Sequence, residues 1–158
     1  VRDTVVTDTN VTLDGVDRAI VQELQIDGRM PYTELSRRVG LSQAATRQRV
    51  NRLIDRGAMQ VVAVTDPSTL GFDYPAMVGI AVDGDVIQVA DALAEIEEVS
   101  YLVIAAGRFD ILAEIVCSDA DHLLRFVNDD IRPLQGVRDV ELFNYLRLVK
   151  QTYTWGAR

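Results

Sequence analysis

The chain has 158 residues, 48% of them hydrophobic, a single cysteine and a formal net charge of −8. That apolar content argues against wholesale disorder, the lone Cys117 excludes an intramolecular disulfide framework and fits a reducing cytoplasm, and no apolar run approaches the roughly 18 residues that span a bilayer. The acidity is uneven: residues 1–62 hold 9 Arg against 8 Asp and Glu, residues 63–158 hold 7 Lys and Arg against 16 Asp and Glu, and within 29–56 seven Arg face only Glu34 and Asp55.

Residues 1–11, VRDTVVTDTNV, carry Asp3 and Asp8 and no sustained apolar stretch, so they read as a loose polar arm and not as a secretory signal. A first helix is expected from Asp14, with Asp17 near its positive end and Val16, Ile20 and Leu24 as its buried stripe; Asp27-Gly28 ends it. A second helix follows Pro31, with Thr33 as its expected cap and Leu35 and Val39 inward. Gly40 supplies a tight turn, because a positive φ is free of strain there. Ser42 is placed to cap a third helix whose inward face is Thr46, Val50, Leu53 and Ile54. Its opposite face holds Ala44, Arg47, Gln48, Asn51, Arg52 and Asp55. Gly57 is a C-terminal stop, and Met59–Val64 reads as the strand of a wing.

Residues 65–74, TDPSTLGFDY, are dense in proline, glycine and serine, and both charge and periodicity change across them; they read as a linker. Beyond it strand and helix alternate. Ala76–Val82 is an expected strand. Asp85 caps a helix with Val86, Val89, Ala90, Leu93 and Ile96 inward. Ser100–Ala106 and Asp110–Cys117 form a hairpin around Gly107-Arg108-Phe109. Ser118 caps a last helix with Ala120, Leu123, Leu124, Val127 and Ile131 inward, closed by Pro133, and Val137–Val149 is a long final strand.

The fold class is therefore α+β: a winged helix–turn–helix over 12–64, then a β-α-β-β-α-β ferredoxin-like domain over 75–150, with a tail at 151–158. Two helices cover one face of such a sheet, yet the strands are apolar on both. An open apolar face predicts at least a dimer, with Tyr153 and Trp155 of the tail able to cover only a corner.

A helix pair carrying the basic charge of an acidic chain points to duplex DNA. Gln43, Ala44, Arg47 and Gln48 occupy the part of the third helix that enters a major groove, where Arg bridges guanine O6 and N7 and Gln bridges adenine N6 and N7. Asn51 and Arg52 lie a turn further on. Arg37 and Arg38 on the second helix suit phosphates, and Ser42 donates to phosphate while it caps. For Arg52 and Arg56 a solvent-facing place or an intrahelical ion pair with Asp55 is a near-even alternative, and Arg49, toward the flank of the third helix, reads as structural.

These segments together resemble the Lrp/AsnC (leucine-responsive, feast/famine) family of transcriptional regulators, from about Leu13 to Lys150. The carriers are LDGVDRAIVQELQIDGR, YTELSRRVGLSQAATRQRVNRLIDRGAM, DPSTLGF, AGRFDILAEI and PLQGVRDVELFNYLRLVK, in family order and spacing. The resemblance implies an N-terminal winged helix, a C-terminal effector-binding domain, homodimers often joined as an octamer of four dimers, no cofactor, and a bacterial or archaeal nucleoid. It further implies a small effector, often an amino acid, near the turn between the second and third strands, matching Ala106, Gly107 and Asp110. The position of a common hydroxyl residue on the last strand falls on Leu142, which cannot donate; Asn144 faces the same way. A glycine turn and an aspartate also explain themselves as a hairpin.

The competing class is an enzyme. His122 sits alone on a helix, Cys117 has no histidine near in sequence, and zinc spacings, phosphate loops and nucleophile elbows are absent, so no catalytic or metal residue is assigned. A stand-alone ligand-binding regulator acting on protein partners is the remaining alternative.

Overall fold

A computed structural model describes residues 12–152. The arm at 1–11 and the expected covering role of Tyr153 and Trp155 lie outside these residues. The chain divides into two compact units, one running to Ala63 and resuming at Lys150, the other Val64–Val149.

The first unit is three helices: α1 Gly15–Ile26, α2 Tyr32–Val39 and α3 Gln43–Asp55. Asp14 caps α1 through a reciprocal box, in which its Oδ1 accepts the Asp17 N–H at 2.7 Å while the Asp17 carboxylate faces the Asp14 N–H. Pro31, not Thr33, is the residue before α2, and having no side-chain acceptor it leaves that helix without a side-chain cap. Gly40 ends α2 in the left-handed region at φ 70°. Ser42 caps α3 as expected, its Oγ accepting from the Ala45 N–H at 3.2 Å. Ile20, Met30, Leu35, Val50 and Leu53 form the core, with Thr46 buried beside them. Ile54 is 41% exposed, so it stays off the inward face.

Met59–Val64 forms no strand in the single chain, and Val61, Val62 and Val64 are exposed. A β conformation is held by a ladder, and none forms over these residues among the described part of the chain. A short 3₁₀ turn at Pro67–Leu70 follows, capped by Asp66.

The second unit is β1 Tyr74–Val82, α4 Val86–Ala94, β2 Val99–Ile104, β3 Ile111–Cys117, α5 Ala120–Arg125 and β4 Val137–Asn144. All pairings are antiparallel in the order β2-β3-β1-β4, the split βαβ arrangement. Asp119 replaces Ser118 as the cap of α5, its carboxylate accepting the His122 N–H at 2.7 Å. The helix then widens into an i→i+5 turn, Phe126–Ile131, which brings Phe126, Val127 and Ile131 inward. Ala120 and Leu124 point to solvent instead of the core. β4 stops at Asn144, five residues before the expected end at Val149: the Tyr145 N–H still donates to Pro75 O at 3.3 Å, but proline has no N–H to extend the ladder. Leu146 beyond it is 97% exposed.

Ala76, Val78 and Ile80 of β1 and Ile111, Ala113, Ile115 and Cys117 of β3 face α4 and α5 in one continuous core. The opposite sheet face carries Met77, Gly79 and Ala81, with Leu112, Glu114 and Val116, Tyr101 and Val103, and Glu141 and Phe143. The Phe109 ring lies over it: a Cβ built on Gly79 would stand 2.6 Å from that ring, so the ring rests where only glycine fits. Phe109 meets Phe143 edge-on with centroids 5.9 Å apart.

Candidate nucleic-acid interface

Helix α3 exposes Gln43, Ala44, Arg47, Gln48 and Asn51, and α2 exposes Arg37 and Arg38. The arginines of this surface fall into two classes. Arg38 is engaged at both ends, Nη1 to Glu23 Oε2 at 2.7 Å and Nη2 to Glu34 Oε1. Those two carboxylates hold its guanidinium above the usual arginine range. Arg49 Nη1 bridges Asp14 and Asp17, and Arg52 Nη2 sits 2.9 and 3.0 Å from the two oxygens of Asp17. The Arg49 hydrogen bond is the leading cause that holds the Asp14 carboxyl below the ordinary range, and Asp14 in turn raises Arg49. Asp17 is only 4% exposed, so the four charges make a brace between the start of α1 and the flank of α3.

Arg37, Arg47 and Arg56 have no carboxylate at salt-bridge distance among the described residues. Arg47 instead lies over the Tyr32 ring, 5.4 Å from its centroid. Ala45, Gln48, Arg49, Asn51, Arg52, Asp55 and Arg56 line a shallow open depression along α3. Asp55, the alternative ion-pair partner considered for Arg52 and Arg56, takes neither; Asp17 takes Arg52.

Two residues of this surface escape a reading of the sequence. The role of Asp17 exceeds its favourable place at a helix start. Its signal is the Asp14-x-x-Asp17 box set against Arg49-x-x-Arg52, two i,i+3 pairs on separate helices. Tyr32 carries no such signal, since an aromatic beside a proline and fifteen residues from its partner has no periodicity to betray it.

At the hairpin, Ala106 and Gly107 are exposed, and a Cβ built on Gly107 would point into open space. Asp110 is already employed: its Oδ2 accepts the Val82 N–H at 2.8 Å, where the β1–β4 register shifts, and its own N–H donates to Ile80 O at 2.9 Å. Leu142 and Asn144 share the helix-side face at the β4 edge, opposite Val78 and Ala76. From Ile80 to Ala76 the strand runs about 14 Å, and β1 intervenes, so one subunit does not gather Asp110 and Asn144 into a single pocket. Arg108 leans over Phe109 at 5.2 Å and pairs with Glu141 at 2.9 Å.

His122 is half-buried, its Nε2 3.3 Å from Glu98 Oε1 and its Nδ1 near Ser118. Burial pushes the Cys117 thiol up, away from a reactive thiolate. No group of His, Cys, Asp and Glu among the described residues could hold a metal ion, and no described helix is long and apolar enough to cross a membrane.

Residues 13–54 match an AsnC-type helix–turn–helix domain, and residues 72–158 match a C-terminal dimeric alpha+beta barrel domain of AsnC-type regulators. An HTH-type transcriptional regulator of Pyrococcus abyssi is 38% identical over 148 residues, covering 92% of this chain and 91% of its own. The leucine response regulatory protein LrpA of Mycobacterium tuberculosis superposes with a TM-score of 0.82 at 30% identity, covering 90% of this chain and 98% of its own. A transcriptional regulator of Neisseria meningitidis solved as an L-Met complex gives 0.78 at 28% identity, with coverage of 89% and 94%. With a helix–turn–helix whose free cations face outward and a sheet domain of a dimeric class, this chain belongs to the Lrp/AsnC family of transcriptional regulators.

Proposed function

We propose that this protein is a sequence-specific regulator that reads duplex DNA with Gln43, Ala44, Arg47, Gln48 and Asn51 of α3 and holds phosphates with Arg37 and the Ser42 hydroxyl. The supporting observation is the division of the arginines. Those on the flank, Arg38, Arg49 and Arg52, are neutralised by carboxylates, while Arg37 and Arg47 keep their charge on the exposed side. Arg38 and Arg52, expected from sequence to meet DNA, are assigned instead to orienting the helices. A guanidinium already bonded to a buried carboxylate must give up that pair before it serves a phosphate.

The test is competition between a duplex enriched by the protein from a random-sequence pool and its scrambled counterpart. Arg47→Ala is expected to lose about 1–3 kcal/mol of discrimination per half-site, the worth of one bidentate base contact. Unchanged discrimination in a gel-shift assay would remove Arg47 from the reading.

The same reading includes a small amino-acid-like effector near Ala106, Gly107 and Asp110. Support comes from the exposed glycine turn and from the L-Met complex of the Neisseria meningitidis regulator. Because Asp110 and Asn144 stand apart within one subunit, the site is completed between subunits of a homo-oligomer, a dimer or an octamer of four dimers. Calorimetric titration with each of the twenty amino acids, giving no heat for any, would overturn it.

A further inference from the structure

We infer that Tyr32 is a positioning residue for sequence discrimination, a platform that holds Arg47 ready for the groove without neutralising it. The inference rests on the reading of Arg47 as a base-contacting residue. Every other arginine held on this surface is held by a carboxylate: Arg38 by Glu23 and Glu34, Arg49 by Asp14 and Asp17, Arg52 by Asp17. Arg47 alone is held by a ring, 5.4 Å from its centroid. The chemical difference matters. A carboxylate occupies the N–H donors of a guanidinium and cancels its charge, whereas an aromatic face attracts the cation and leaves both the charge and the donors unspent.

The platform is itself anchored. Tyr32 is the first residue of α2, directly after Pro31, and its side chain is half-buried against the core of Ile20, Met30, Leu35, Val50 and Leu53. One part of the ring therefore belongs to the core and another carries Arg47. A long side chain ordered before binding loses less rotamer freedom on docking, which favours the cognate duplex, where Arg47 finds its acceptors, over one where it does not.

Discrimination between the enriched duplex and its scrambled counterpart is measured for the full chain and for Tyr32→Phe, Tyr32→Leu, Arg47→Ala and the Tyr32→Leu/Arg47→Ala double variant. Tyr32→Phe keeps the face and is expected to match the parent, which also removes the phenolic hydroxyl from the account. Tyr32→Leu keeps apolar bulk and is expected to lose about two- to fivefold of discrimination per half-site, the range of an exposed cation–ring contact. The double variant is expected to discriminate no worse than Arg47→Ala alone. If Arg47→Ala loses discrimination but Tyr32→Leu matches the parent, or if the two losses multiply in full, the platform is overturned and the Arg47 reading stands. If Arg47→Ala changes nothing, both fall. A measurement on the unaltered protein guards against a variant that does not fold: the Nε–Hε order parameter of Arg47 is expected to exceed that of Arg37, and equality of the two would also overturn the inference.

Discussion

The two units solve the problem of holding a shape by different means. Among the described residues, the sheet domain buries fourteen in one continuous apolar layer, from Ala76 through Ile131, onto which its helices dock. The helix–turn–helix buries five hydrophobic residues among those described and adds a four-charge brace, Asp14 and Asp17 against Arg49 and Arg52. Three short helices enclose little interior, so their mutual angle is fixed by directional polar contacts. The difference teaches where an arginine count misleads. In the small unit part of the positive charge is spent on architecture, and only the remainder stays available on the exposed side.

The largest expected effect separates the two cores. Leu53→Ala and Leu93→Ala each remove a fully buried leucine, at about 2–5 kcal/mol. The five-residue core has little to spare, so Leu53→Ala is expected to expose α1–α3 to hydrogen exchange while the sheet amides stay protected. Leu93→Ala should lower the midpoint of the sheet unit and leave the helices folded. Equal loss of protection in both units for either variant would show one cooperative block and dissolve the comparison. Next in size is Gly79→Ala, which forces the Phe109 ring off the sheet and is expected to destabilise that unit by about 1–3 kcal/mol. Adding Phe109→Ala should recover part of the loss to strain; a double variant worse than the sum of the singles would contradict the contact.

The brace is tested by Asp17→Asn, which leaves two guanidinium groups without their shared charge. Because Arg49 and Arg52 keep partial access to water, the expected loss is about 1–2 kcal/mol, below that of a fully buried pair. It should be confined to the helical unit in a thermal melt. The same division of charge appears in salt titrations of DNA affinity: Arg37→Ala should flatten the logarithmic slope by about 1, whereas Arg52→Met should leave it nearly unchanged. Equal flattening by both would return Arg52 to the phosphate-binding set. The smallest effect concerns acid. A carboxyl held low by its partners stabilises the fold fully above the ordinary aspartate range and withdraws that support as pH falls through its folded value. Asp14 should therefore titrate by NMR below an unpaired aspartate, and Arg49→Met should move it back up.

Tyr145 extends the contrast to the sheet. Burial first, and then the hydrogen bond its hydroxyl donates to Glu114 Oε1 at 3.0 Å, push its phenol up to about 12. That carboxylate interrupts an otherwise apolar row on the open face. The alternation of Leu112 and Val116 with Ile111 and Ile115 made the face legible as apolar from the chain itself, but not the polar link in its middle.

Much of the architecture was written in local pattern. The Val16–Ile20–Leu24 stripe, Gly40 and Ser42 placed the helix pair, and the order β-α-β-β-α-β followed from alternating periods. What failed locally failed for identifiable reasons. Met59–Val64 has the composition of a strand, but a strand needs a ladder, and none forms there among the described residues. Ser118 and Asp119 are both good caps, and only the helix axis decides between them. Leu124 fits a 3.6-residue stripe until the wider turn at Phe126–Ile131 rotates it to solvent.

By itself, the sequence determined the three helices of the first unit and the strand–helix order of the second, that positive charge gathers on the helix–turn–helix, and that the sheet has apolar residues on both faces. These properties depend on neighbours within a turn or two. Tertiary structure alone decided which arginines are spent and which are free, because Asp17 reaches Arg49 and Arg52 across more than thirty residues and Tyr32 reaches Arg47 across fifteen. Charge pairing depends on distance in space, and no periodicity along a chain encodes the angle at which two helices cross.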